Sequence, residues 1–187
     1  MTTTAPRTQT QLPAPGRWTI DPSHSSVEFV VRHLMVAKVR GRFDEFSGDI
    51  HVGETPEESK VVVAIAPASI STGDEQRDGH LKSADFFDVE QYPTITFAST
   101  GVRAVGDRYD LDGELTVNGE TKPVTLSLEY QGSITDPFGN DKAVFSASTE
   151  IDREDWGLTW NQALESGGVL VGKKARIEIE IEAVHQA

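Results

Sequence analysis

From Trp18 onward, apolar and polar side chains alternate along the chain with a period close to two. That is the spacing of a β-strand with one buried face. Val27, Phe29, Val31 and His33 share one phase, while Glu28 and Arg32 take the other. Val39, Gly41 and Phe43 resume it, and Phe46 falls out of phase with them, which predicts a bulge near Asp44-Glu45. Val61, Val63 and Ile65 form the next run, and Tyr92-Pro93 leads into Ile95, Phe97 and Ser99. Leu111, Gly113, Leu115 and Val117 run into Asn118-Gly119, a pair that accepts the left-handed backbone of a tight hairpin turn. Val124, Leu126, Leu128 and Tyr130 return from that turn. Phe145, Ala147, Thr149 and Ile151 follow the turn-rich TDPFGND. The last run is the clearest: Ala175, Ile177, Ile179, Ile181 and Ala183 point one way, and Arg176, Glu178, Glu180 and Glu182 the other. One dry face and one wet face mark an antiparallel sheet.

Two stretches break the period, residues 74–84 and a run from Asp152-Arg153 through Trp156 to Leu164, and both read as short helices. About eight strands and two helices predict an all-β fold, an eight-stranded antiparallel barrel with two short helices covering it. A barrel of that size has room for side chains or one small ligand. Residues 1–17 are polar and rich in Pro, Thr and Gln, and read as a disordered tail. Residues 18–187 read as one domain.

Composition narrows the function. Thirty acidic against 17 basic residues give a net charge of −13, a field that repels nucleic-acid phosphates and anionic lipid headgroups and argues against nucleic-acid binding. No polybasic anchor is present, so an anionic ligand needs a local cluster of Arg or Lys working against the global charge. The absence of cysteine excludes disulfides, thiolate metal sites and a cysteine nucleophile. No segment reaches the ~18–20 apolar residues of a membrane-spanning helix, and the N-terminus has no signal-peptide core. A cytoplasmic location is the resulting expectation.

Residues 73–100 concentrate the candidate chemistry. Arg77, Asp78 and His80 crowd one helical turn beside Phe86-Phe87. A catalytic reading makes His80 a general base oriented by Asp78, with Ser83 or Ser99 as nucleophile. Side chains two apart on a helix diverge, however, and no activated-serine motif accompanies them. The simpler reading is a lid: a charged helix outside, with Leu81, Phe86 and Phe87 buried beneath. His24, His33, His51, His80 and His185 show no metal-ligand spacing, so no metal is expected. Strand phase alone puts Phe29, Val31, Phe43, Val63, Ile65, Phe97, Leu115, Leu126, Phe145 and Ile179 on the inner wall. Small residues on those faces, Gly41, Gly113 and Ala147, favour a cavity over a filled core. Trp156, Leu158 and Trp160 either pack over a barrel end or form a homodimer surface or a portal for an apolar ligand.

Several separated motifs, in order, resemble the YceI-like family: WTIDPSHSSVEFVVRH at 18–33, GRFDEFSGDI at 41–50, SISTGDEQRDGHLKSADFFDVEQYPTITFAST at 69–100, GELTVNGETKPVTL at 113–126 and IDREDWGL at 151–158. The resemblance implies a lipocalin-like barrel whose apolar tunnel binds a polyisoprenoid lipid, a polyprenyl phosphate or an isoprenoid quinone, with no cofactor required. Some relatives of that family are periplasmic. On this reading Phe86, Phe87 and the inner-wall residues with His33 contact the lipid, and Arg32, Arg77, Asp78 and His80 stand at the mouth. The competing expectation is a small hydrolase or isomerase using a histidine beside the pocket.

Overall fold

The computed structural model describes residues 12–187, and its eleven β-segments form eight staves of one closed barrel. The first stave is β1 (Gly16–Ile20) continued by β2 (Ser26–His33). The second is β3 (Ala37–Phe43) continued by β4 (Phe46–Val52), and the third β5 (Lys60–Ile65) continued by β6 (Ile70–Ser71). Then follow β7 (Ile95–Val105), β8 (Arg108–Val117), β9 (Glu120–Thr135), β10 (Asp141–Asp152) and β11 (Val171–Gln186). Every stave pairs antiparallel with the next in sequence, and β11 closes the ring on β1 and β2. Trp18 sits at that seam, opposite His185 on one side and Ile50 on the other.

Local chemistry explains the interruptions. Pro22 and Pro67 each open a 3-10 turn, where a missing N–H costs nothing. The irregularity expected near Asp44-Glu45 is a break between β3 and β4. There the Asp44 N–H donates to the Ser69 carbonyl at 3.2 Å and the Glu45 N–H to Ser69 Oγ at 2.9 Å. At 118–119 the expected hairpin forms, with Asn118 at φ 53° and Gly119 at φ 75°.

Strand structure and core contacts are present ahead of the expected boundary at position 18. β1 begins at Gly16, Leu12 packs on the core, and the Trp18 indole donates to the Ala14 carbonyl at 3.0 Å. Residues 1–11 lie outside the described residues. One α-helix is present among the described residues, α1 (Glu75–Lys82), with the Asp74 carboxylate accepting from the Arg77 N–H at 2.8 Å. The second expected helix is not there: one 3-10 turn, Arg153–Trp156, ends at Gly157 with φ 76°. Residues 158–170 then run as an irregular loop pinned by an Ala163–Val169 bridge. A left-handed glycine right after the first turn is what stops the helix.

The two ends of the barrel differ. At the end carrying the β4–β5, β7–β8 and β9–β10 turns, Trp18, Val52, Val102, Tyr109, Ala143 and Ala183 are buried and pack solidly. The other end carries the β2–β3 and β8–β9 turns, α1 and the 158–170 loop.

Candidate functional site

Between the packed end and the helix lies a cavity of about 860 Å³, near the top of the ~300–1,000 Å³ usual for ligand pockets. Its wall is hydrocarbon from the inner positions of the staves. All thirteen residues expected to contact a ligand line it: Phe29, Val31, His33, Phe43, Val63, Ile65, Phe86, Phe87, Phe97, Leu115, Leu126, Phe145 and Ile179. Phe29, Val31 and Ile179 point inward yet stay only half-buried, because what they face is space.

The glycines work differently from the expectation. A Cβ on Gly41 would lie 2.2 Å from the Phe29 ring, and one on Gly113 would lie 2.4 Å from the Phe97 ring. The room they leave is filled by those two rings. Laid over a glycine on the neighbouring strand, each ring hugs the wall, as when an aromatic covers a cross-strand glycine. The lumen stays wide for that reason. Ala147 lines the cavity directly.

Aromatic stacking closes the roof. Phe87 meets Phe43 edge-on at 5.7 Å, and His80 meets Trp160 at 4.6 Å and Phe86 at 5.2 Å, both edge-on. Backbone acceptors hold the roof down: the Asn118 amide donates to the Phe86 carbonyl at 2.7 Å, and the Trp156 indole to the Leu115 carbonyl at 2.9 Å. Trp156 and Leu158 are buried and line the cavity, so they pack over the barrel end.

Buried Arg153, which the sequence reading missed, staples the irregular loop. Its guanidinium donates to the carbonyls of Leu158, Gly172 (2.8 Å) and Val171 (3.4 Å). Burial lowers its pKa, and Glu154 and Asp152 oppose that shift. Leu81, expected beneath the lid, lines the cavity, as do Thr72, Gln76, Trp160 and Ile177, which the sequence reading did not assign to it. Of these, Ile177 was legible, since it shares the phase of Ile179.

Polar lining residues at the helix end are Arg32, His33, Thr72, Asp74, Gln76, Arg77 and His80, and Glu28, Thr149 and Arg153 line the cavity besides. Arg77 reaches back to Thr72, with Nε 2.7 Å from Oγ1 and Nη2 2.9 Å from the carbonyl. Asp78 is not on the lining. Its carboxylate accepts from the Thr72 N–H at 2.9 Å and the Thr72 hydroxyl at 2.5 Å, on the far side of the turn from His80.

The partner of His80 is Asp85, at 2.8 Å from Nε2. Ser83 Oγ donates to the His80 carbonyl at 2.6 Å, and Ser99 Oγ accepts from the Val61 N–H at 2.8 Å. Neither serine bonds the imidazole. Among the described residues, Asp21, His24 and Glu182 form the one group with metal-like convergence. The Lys142 ammonium already lies 2.6 Å from Glu182 and 3.7 Å from Asp21.

The comparisons with known proteins agree on the fold. The family model described as a YceI-like domain matches residues 18–183. A UPF0312 protein of Staphylococcus aureus strain MSSA476 is 39% identical over 170 residues, covering 88% of this chain and 95% of the relative. The crystal structure of a Campylobacter jejuni YceI protein aligns with TM-score 0.71 at 28% identity, over 83% of this chain and 90% of that one. Burkholderia cenocepacia BcnA aligns with TM-score 0.77 at 21% identity, over 87% and 98%. A polyisoprenoid-binding domain from Saccharophagus degradans aligns with TM-score 0.70 at 18% identity, over 92% and 100%.

Proposed function

Since the chain belongs to the YceI-like family, we propose that it binds a long apolar isoprenoid lipid inside the barrel and carries or sequesters it without chemistry. The observation that carries this reading is the cavity: about 860 Å³, walled chiefly by hydrocarbon, with most of its polar residues toward one end. A polyprenyl phosphate or an isoprenoid quinone has the matching form, an apolar tail with one polar head. The name of the Saccharophagus degradans domain points to the same ligand class.

Physical chemistry favours that match. Each buried methylene contributes about 0.8 kcal/mol, so a long tail binds tightly without hydrogen bonds. Ordering a flexible chain offsets part of that gain. The force has no direction, so the wall selects for length and width, and the head is left to Arg32, His33, Arg77 and His80 at the mouth. The tail lies toward the packed end.

Binding is favoured over catalysis because His80 is engaged by Asp85 and two aromatic rings, and neither candidate serine bonds it. The test is organic-solvent extraction of purified protein followed by mass spectrometry. About one isoprenoid per chain is the expected recovery. Protein that carries no stoichiometric apolar ligand, and takes none up from added isoprenoid quinone, would sink the reading.

A further inference from the structure

The β2–β3 hairpin tip is built against ordinary rules for a soluble turn. Leu34, Met35 and Val36 connect paired His33 and Ala37, and they are 45%, 56% and 78% exposed. Leu34 and Met35 both hold left-handed backbone, with φ of 51° and 68°. The same chain uses Asn-Gly for such a turn at 118–119, where left-handed backbone costs little. At 34–36 bulky apolar groups face solvent on a strained backbone.

Charge adds a second anomaly. From Phe29 to Phe43 there are four Arg or Lys side chains and no carboxylate, in a chain whose net charge is −13. Arg40 and Arg42 are paired, with Glu178 at 3.3 Å and Asp44 at 2.7 Å. Arg32 and Lys38 stand directly opposite each other next to the tip. Neither has a carboxylate partner among the described residues, and Arg32 donates to the Val36 carbonyl at 3.2 Å. Like charges placed opposite in a sheet repel. The adjoining loop, 157–170, supplies one carboxylate, Glu165.

Another exposed hairpin tip makes the contrast. Ile134 and Phe138 are 67% and 89% exposed, but Asp136 and Asp141 flank them, at the packed end far along the barrel from the mouth. Apolar exposure alone occurs at both ends. Apolar exposure with unpaired positive charge occurs where the cavity opens, since Arg32 and His33 are themselves lining residues; the Asp74 carboxylate shares that lining and is engaged by the Arg77 N–H.

We propose that the 34–36 tip docks on an anionic lipid bilayer, with Leu34, Met35 and Val36 entering the interface and Arg32 and Lys38 meeting lipid phosphates. Apolar groups ringed by basic ones are what interfacial binding requires. Docking there turns the mouth toward the bilayer, so an apolar ligand passes between membrane and cavity without crossing water. The inference rests on the lipid-carrier reading for its purpose, and on the tip alone for its binding.

The test is flotation of the full chain with phosphatidylcholine vesicles, with and without phosphatidylglycerol. Wild type is expected to float with the anionic vesicles and to be released by salt. Met35→Ser with Val36→Ser should cut the floated fraction about tenfold, since two apolar insertions are lost. Lys38→Gln should cut it about fivefold at low salt. Phe138→Ser, at the acidic tip, should change nothing.

All variants should keep wild-type far-ultraviolet circular dichroism and co-purified lipid. Docking without any recovered isoprenoid would overturn the carrier reading alone. Recovered isoprenoid without docking, or a double variant that floats like wild type, would overturn this one. A dimer that the double variant dissociates, in a protein that ignores vesicles, would reassign the tip to self-association and overturn it too.

Discussion

Ala143 and Ala147 lie four residues apart on the inner face of β10, and they inhabit different materials. Ala143 has no exposure and belongs to the buried cluster that holds Trp18 and Ala183. Ala147 lines the cavity and is only half-buried. One end of the barrel behaves as a close-packed core and the other as a lined container. The alternation in sequence is the same at both, so stability and binding are divided along the strands' length and not between their faces.

Trp18→Ala should produce the largest loss, about 3–5 kcal/mol, because it removes a buried indole from a site that cannot collapse. Urea denaturation measures it, and a loss under 1 kcal/mol would mean the packed end is looser than its burial implies. The pair of alanines sharpens the contrast. Ala143→Phe should cost about 3 kcal/mol through overpacking. Ala147→Phe should cost under about 1 kcal/mol, since its ring enters existing space, yet it should abolish lipid recovery on extraction. Equal stability losses at both positions would erase the distinction.

The smallest effect concerns Asp21, beside the packed end. Hydrogen bonds from Ser23 and His24 hold its carboxyl down at about 2, against an ordinary 3.8. The native state therefore binds fewer protons than the unfolded chain in that window. Its contribution is complete above pH 3.8 and fades as the pH falls toward 2. Asp21→Asn should flatten that part of the stability–pH curve and leave the acid dependence due to Asp112, Asp136 and Glu178, whose pKa values are also lowered. An unchanged acid limb would contradict the assignment.

Much of this was legible because a closed barrel obeys the two-residue period. Phe29, Val31, Ile179 and the rest of the wall follow from parity, and Asn118-Gly119 from backbone chemistry. Illegible features depended on contacts distant in sequence. Nothing local distinguishes Ala143 from Ala147; the register of β10 against β9 and β11 does. The role of Gly41 appears only once Phe29 is known to lie opposite it. Arg153 reads as one more surface charge until the loop it staples folds over it. Trp156, Leu158 and Trp160 imitate a helical face, so residues 152–164 read as a helix, but left-handed Gly157 ends it after one turn.

The seam at Trp18 sets an order on how the molecule can assemble. Every stave bonds a sequence neighbour except at the closure, where Arg17 meets Gln186 and Ile20 meets Ala183. Seven of the eight pairings are available to a growing chain as it leaves the ribosome, but the ring waits for its final residues. Until then the first and last staves present open hydrogen-bonding edges, which invite pairing with other chains. Closure across nearly the whole length is also the contact with the highest loop entropy, and so a slow step. A nascent chain stalled before Val171, where β11 begins to pair with β2, is an open sheet with an apolar face, a substrate for chaperones and not yet a container.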